Sequence, residues 1–512
     1  MRRVGAWKIV VSAAVFLSLL FVFAWSSEAA TLVVGPREAY STIQAAVDAA
    51  AENDVIQVRS GTYIEDISIG TNNLTLTSAD GPGTAIIQGA DGGSNAVISI
   101  GSDLGVSIDG FSIRPGSGVY YYGIELYSSS SNPISITNNT FENFTGGIGF
   151  YASFGYLTST TFTFTGNTMR NCEEGMDIYG FDGCTIRISG NTAVDCYYGM
   201  ILSDFDHGLG TDAEVTGNIV TLDAALGPGN IGMFFCCPEN STIISGNTVT
   251  GPYDTGMHFE DVGCCGMSPV MLFVENNTVE GAMYGIAFNE ILCCIPGEVS
   301  VQNNLAGENE VGMFVSVNNF PSDPLTAVQF TGNSVPGNTG WGFYNNSGTI
   351  IDAVGNWWGS ASGPLDDKTL PGVPDYNNPS GTGSRVSSYV DYSPWLTSAP
   401  SSIEKPVLLF PANEAVKISL TPTLKTNPFV SGDSGVTHKS TMWQVGTASD
   451  FNSGKVIDDE SSTYLTSRKI PKNTLITNTQ YYWRVRFKGS NDSLSDWSDT
   501  WSFTTKKGGP TK

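Results

Sequence analysis

Apolar and polar residues alternate in short bursts along most of this chain. Thr185-Ile186-Arg187-Ile188-Ser189 is one, with the period-two pattern of a half-buried strand. The bursts recur, and each ends near an asparagine. Ile136, Phe164, Ile188, Val215, Ile244, Val274, Val301 and Phe330 stand three residues before Asn139, Asn167, Asn191, Asn218, Asn247, Asn277, Asn304 and Asn333, and Asn356 extends the series. The steps are 28, 24, 27, 29, 30, 27, 29 and 23 residues. A period in this range signals a solenoid, in which each repeat covers its neighbour's apolar face.

In most repeats a glycine followed by Ile or Met comes eight or nine residues after the asparagine. These pairs are Gly147-Ile148, Gly175-Met176, Gly199-Met200, Gly256-Met257, Gly285-Ile286 and Gly312-Met313. Gly232-Met233 is delayed to fourteen residues, the mark of an insertion. Two or three short strands per turn, bent at Gly and Asn, predict an all-β chain wound as a parallel β-helix. Asparagine suits the bend because it tolerates left-handed backbone angles and can hydrogen-bond the neighbouring coil. Stacked in register, the asparagines form an internal ladder.

The sequence resembles the right-handed parallel β-helix superfamily of pectate lyases, polygalacturonases and related carbohydrate-binding or sugar-hydrolysing proteins. The segment YSTIQAAVDAAAENDVIQVRSGTYIEDI, Tyr40 to Ile67, is similar to the family's N-terminal capping helix and first strand, with Ile43, Ala46 and Val47 over the open core. NWWGSASGP from Asn356 and VDYSPWL from Val390 resemble the closing coil, with Trp357, Trp358 and Trp395 as its plug. The resemblance spans about residues 31–396 and implies a right-handed solenoid of about eleven coils. It leaves activity open, because this fold hosts lyases, hydrolases, esterases, epimerases and inert adhesins.

Beyond a Ser/Pro-bearing linker at 397–404 the character changes. Residues 405–506 carry strand-like runs with turn signals, the size of a small β-sandwich. Trp443-Gln444, the run Tyr481-Tyr482-Trp483-Arg484-Val485-Arg486, Trp497 and Trp501 resemble a fibronectin type III module, a spacer or binding unit. At the other end, Arg2, Arg3 and Lys8 precede an apolar run from Ile9 to Trp25, followed by Ser27, Ala29 and Ala30. That reads as a signal peptide over 1–29, leaving no membrane span after cleavage and a secreted or cell-surface protein. A formal charge of −25 argues against nucleic acid and anionic membrane as partners.

Counting from each glycine places the outward positions. Column two reads Glu125, Gly149, Asp177, Ile201, Phe234, His258, Ala287, Phe314. Column four reads Tyr127, Tyr151, Tyr179, Ser203, Cys236, Glu260, Asn289, Ser316. Aromatic faces stack on sugar rings and carboxylates hold hydroxyls or Ca²⁺, so Tyr127, Tyr151, Tyr179 and Glu125 form a candidate glycan-binding strip, with Ca²⁺ as a candidate cofactor. A carboxylate pair can also work on a glycosidic bond. The candidates are Asp177, Asp204, Asp206 and Glu260, with Asp254 and Asp261 beside them and His258 or His207 as bases.

Between Arg187 and Lys368 there is no Lys or Arg, against 20 Asp or Glu. The resemblance implies that uronate-cleaving relatives use basic residues as base or substrate clamp, which the central coils cannot supply. A neutral glycan therefore fits better than a polyanion. Three functions follow: glycan binding, polysaccharide hydrolysis or cleavage by a lyase, and an adhesin or spacer without catalysis.

Nine cysteines in an exported chain suggest disulfides. Cys172 and Cys196 both stand five residues after their asparagines, hence stacked about 4.8 Å apart, within disulfide reach. Cys264-Cys265 and Cys293-Cys294 stack by the same count, while Cys236-Cys237 falls out of step by four. Inter-coil staples are expected; a sulfur cluster near His258, suited to copper or zinc, is the alternative.

Overall fold

A computed structural model describes residues 29–507 except 103, 129–131, 153–159, 181–182, 204–211, 239, 264–269, 292–296, 317–327, 368–376, 401–402, 432–435, 450, 452, 491–492 and 496. The predicted signal segment up to residue 28 lies outside the described residues. No helix among them is long and apolar enough to cross a membrane.

One coil shows how the sequence makes the fold. Thr185–Ser189 joins a 14-stranded sheet, the chain bends at Asn191, Thr192–Val194 joins a 10-stranded sheet, and Tyr198–Ser203 joins an 11-stranded sheet. The next coil begins at Asp212 and pairs in parallel with the first, Ile186 against Ala213 and Ile188 against Val215. Inward residues fuse into one apolar core along the solenoid. Phe235, Phe259 and Phe288 stack there at centroid spacings of 4.9 and 4.6 Å.

The asparagine ladder is complete and internal. Asn247 shows the pattern: its Nδ2 donates to the Val215 carbonyl at 2.9 Å and to Asn277 Oδ1 at 3.0 Å. Its Oδ1 accepts from the Asn218 backbone N–H and side-chain Nδ2, both at 2.9 Å. Two donors and two acceptor sites are thereby used up, the full capacity of the amide. All nine asparagines are at most 2 % exposed.

One detail corrects the sequence reading. The ladder asparagines do not take up the left-handed backbone; the residue before each does. Asn138, Gly166, Gly190, Gly217, Gly246, Asn276, Asn303, Gly332 and Gly355 have φ between 55° and 69°. Gly accepts that region without cost, and Asn more cheaply than most residues. The glycine of the Gly-Ile/Met pair is instead demanded by close approach. A Cβ on Gly199 would sit 2.3 Å from the Gly232 carbonyl oxygen in the next coil.

The ends are capped as the sequence implies. The helix Ile43–Ala49 buries Ile43, Ala46 and Val47 against the first coils. Its first backbone N–H groups, on Ile43 and Gln44, donate to the Glu65 carboxylate at 2.8 and 2.9 Å. At the far end Trp358 is fully buried against Tyr392, and Trp395 packs beside it. Trp357 was expected in that plug but is only half-buried, its backbone continuing the ladder turn by hydrogen bonds to Asn333 and Val335.

The C-terminal unit has a three-stranded and a five-stranded sheet around Trp443, Trp483, Tyr481 and Phe503. Trp497 carries Arg484 and Arg486 over its ring at 4.5 and 4.7 Å, so it is part of the packing.

Replacing Asn247 with Ala should lower the unfolding free energy by about 3 kcal/mol, because it orphans buried groups in two coils at once. The outward Ser245→Ala should stay within about 0.5 kcal/mol. Denaturant midpoints of the two variants check this; equal effects would contradict it.

Candidate functional site

The outward face of the 11-stranded sheet carries the residues singled out by counting, and the backbone register matches both columns. Glu125, Gly149, Asp177, Ile201, Phe234, His258, Ala287 and Phe314 pair successively across the coils. So do Tyr127, Tyr151, Tyr179 and Ser203, and then Cys236, Glu260, Asn289 and Ser316. The side chains of Tyr127 and Tyr151 lie outside the described residues, as do Asp204, Asp206 and His207. Tyr179 is exposed.

Glu125 departs from the expectation of an open surface residue. It is only 6 % exposed and accepts a hydrogen bond from Asn95 Nδ2. The Tyr122 ring lies over the neighbouring Gly146 and Gly149, filling the space their missing side chains leave. The sheet is therefore closed over at this coil.

Two coils on, the face is acidic. Asp177 and Glu174 share the strand Glu174–Tyr179, whose burial pattern puts both on the outward side. Burial, then Asp177 and Glu173, push the Glu174 carboxyl up to about 7. Tyr198 is in register with Glu174, packs edge-on against Tyr197 at 5.1 Å, and accepts from Asn230 Nδ2 at 2.7 Å through its hydroxyl. The sequence CEEGMDIYG contains Glu174, but glycine-based counting began one residue too late to include it.

Further along, His258 Nε2 meets Asn289 Nδ2 at 2.9 Å, which fits a neutral ring accepting at Nε2. The Phe234 ring packs edge-on against it, and burial lowers its pKa. Glu260, Asp261, Asn289, Glu290 and Ser316 line a cleft of about 310 Å³. Burial and Asp261 raise the Glu260 carboxyl, and a hydrogen bond shared with Asp261 raises Glu290. Oxygen donors of this kind suit Ca²⁺. Asp254 is exposed on the same strand as His258.

The sequence reading missed the far end. Tyr284, Phe314, Tyr344 and Trp341 form a continuous outward aromatic run, at centroid distances of 4.9, 5.7 and 5.4 Å. Arg385 lies over Trp341 at 5.1 Å and is ion-paired with Asp367, so the aromatic surface gains little net charge. Trp341, Tyr344, Asn345, Asn346, Ser387 and Tyr389 line a pocket of about 350 Å³. The signal was present: Gly342 stands nine residues after Asn333, but Phe343 follows it where Ile or Met was sought.

Cys172 and Cys196 stack in adjacent coils as buried free thiols where a bridge was expected, Cys172 Sγ donating to the Arg170 carbonyl at 3.4 Å and Cys196 Sγ to the Val194 carbonyl at 3.6 Å. Cys264, Cys265, Cys293 and Cys294 lie outside the described residues.

Residues 95–264 match the family model described as "Right handed beta helix region". Residues 430–507 match "Rha78A-like, N-terminal immunoglobulin domain". The chain is thus a right-handed parallel β-helix followed by an immunoglobulin-like β-sandwich. No curated protein sequence matches it. Solved structures with similarity include the Streptomyces avermitilis α-L-rhamnosidase complexed with L-rhamnose, at 22 % identity and a TM-score of 0.15 over 20 % of this chain and 10 % of that one. The periplasmic alginate epimerase AlgG gives 12 % identity and 0.26 over 59 % and 76 %. The tailspike protein gp49 of Acinetobacter baumannii bacteriophage Fri1, a capsular polysaccharide depolymerase, gives 11 % and 0.27 over 92 % and 77 %. This chain spans a tenth of the rhamnosidase. Likeness at this level carries no argument about activity.

Because Glu174 titrates near 7 in the folded chain and near 4.5 when unfolded, the folded chain holds the extra proton between those values. Stability from this group is therefore present below about 4.5 and lost as pH rises through about 7. Glu174→Gln should match wild type in Tm at pH 4 and exceed it at pH 8; identical Tm at pH 8 would contradict this.

Proposed function

We propose that this chain is an exported or surface-held protein that binds a neutral glycan along the outward face of its 11-stranded sheet. The observation that carries the reading is the outward aromatic run of Tyr284, Phe314, Tyr344 and Trp341, opening onto a pocket with amide and hydroxyl groups. Apolar sugar faces stack on such rings while hydroxyls bond the polar rim. The backbone register that places Tyr127, Tyr151 and Tyr179 in successive coils is consistent with a second strip toward the other end. Acidic coils between them repel polyanions and accept hydrogen bonds from sugar hydroxyls.

A hydrolytic reading rests on one observation. Glu174 is held protonated near neutral pH beside Asp177, an arrangement that a general acid with a carboxylate partner requires. Under this reading Glu174→Gln abolishes reducing-sugar release and leaves glycan binding intact.

A glycan array tests the binding proposal. The Trp341→Ala/Tyr344→Ala variant should bind the preferred glycan about tenfold more weakly, since ring contacts worth about 1.5 kcal/mol are lost. Tyr127→Ala/Tyr151→Ala/Tyr179→Ala should weaken long chains more than short ones. A wild-type protein that binds no glycan would overturn the proposal, and retained cell adhesion would then favour a rod-like adhesin.

A further inference from the structure

We propose that Cys236, Cys237 and Asp261 form a binding site for a thiophilic divalent cation, with Zn²⁺ as the fitting ion. Two Sγ atoms and a carboxylate oxygen from these residues lie within 4.8 Å of one another. The arrangement follows from the coil geometry. The strand Gly229–Cys236 ends with Cys236 in register with Glu260 of the strand Tyr253–Val262. Cys237 then donates its backbone N–H to the Glu260 carbonyl at 2.9 Å. Cys237 and Asp261 both turn through the left-handed region, at φ 56° and 53°, so one turn is stacked on the other. That stacking brings the Asp261 side chain to the vicinal thiols.

Donor chemistry and spacing select the ion. Thiolates favour zinc and other thiophilic cations over Ca²⁺ or Mg²⁺. The Cys236 and Cys237 sulfurs are 3.0 Å apart. Tetrahedral zinc with bonds of about 2.3 Å needs its sulfurs about 3.7 Å apart. Half-exposed Cys236 has room to make that adjustment by rotation, whereas Cys237 is buried. Binding exchanges two S–H protons for two Zn–S bonds and releases both protons to solvent, with Asp261 completing three protein ligands.

Local charge acts in the same direction. Glu260 and Glu290 line the adjoining cleft with Asp261. No Lys or Arg occurs between Arg187 and Lys368 to neutralise them in sequence. A dithiol destined only for a disulfide gains nothing from a carboxylate, which disfavours the thiolate needed for exchange. A metal site gains a ligand.

The proposal needs no glycan, so its test reads metal alone. Reduced full-length protein is titrated with Zn²⁺ against a chromophoric chelator, and with Co²⁺ to read thiolate-to-metal charge transfer in the near ultraviolet. Wild type should bind one more Zn²⁺ per chain than Cys236→Ser/Cys237→Ser, and that variant should lose charge-transfer intensity. Asp261→Asn keeps a residue suited to the left-handed turn and should weaken the same Zn²⁺ at least about tenfold. It serves as the test if the double serine variant fails to fold by circular dichroism. Unchanged stoichiometry and affinity in these variants would overturn the proposal. So would a Cys236–Cys237 disulfide, found by mass spectrometry, whose reduction yields no zinc uptake at this site.

Discussion

A buried amide is tolerated only when each of its donors and acceptors finds a partner, and along the interior of this ladder the partners lie in neighbouring coils. The Oδ1 of one ladder asparagine accepts from the asparagine before it, and its Nδ2 donates to a carbonyl of that earlier coil and to the next asparagine. Sliding one coil by a residue would break these bonds together and turn every inward side chain outward. Hydrophobic burial alone fixes which face is inside. The amide chain fixes which residue stands above which. At the end of the series Asn356 donates to Phe330 and Ala353 carbonyls, closing the ladder without an orphaned donor.

Everything on the outer surface depends on that register. Because coils stack residue on residue, outward side chains form columns, and similar residues in successive coils become continuous strips. Tyr284, Phe314, Tyr344 and Trp341 become one aromatic surface in this way. Carboxylates are likewise crowded. Burial and like charges in their own coils, Asp177 and Glu173 for Glu174 and Asp261 for Glu260, raise two carboxyls; a hydrogen bond with Asp261 of the preceding coil raises Glu290, and the central coils contribute no Lys or Arg to relieve them. An acidic, aromatic-edged sheet suits a neutral, hydroxyl-rich ligand.

The columns were legible because the asparagines supply a count and the β period does the rest. The same count placed Cys236 beside Glu260, although the proximity of Asp261 needed the shape of the turn. Counting cannot see side chains that reach sideways. Asn95 and Tyr122 close the sheet around Glu125, and no spacing rule predicts that. It also stops where the motif changes, and so Phe343 in place of Ile or Met hid Trp341 and Tyr344. Asparagine was credited with the left-handed turn that the preceding Gly or Asn adopts, because both residue types carry the same propensity.

Disulfide trapping across one ladder step tests the central claim most directly. Ile201 and Phe234 are in register on the outer face, whereas Phe235 points into the core. An Ile201→Cys/Phe234→Cys pair has the spacing a disulfide needs, about 4.8 Å along the ladder direction. Under mild oxidation, with the bond located by peptide mapping, this pair should crosslink efficiently and Ile201→Cys/Phe235→Cys should not. Equal crosslinking of both pairs, or preference for the shifted one, would contradict a register held by the asparagine ladder.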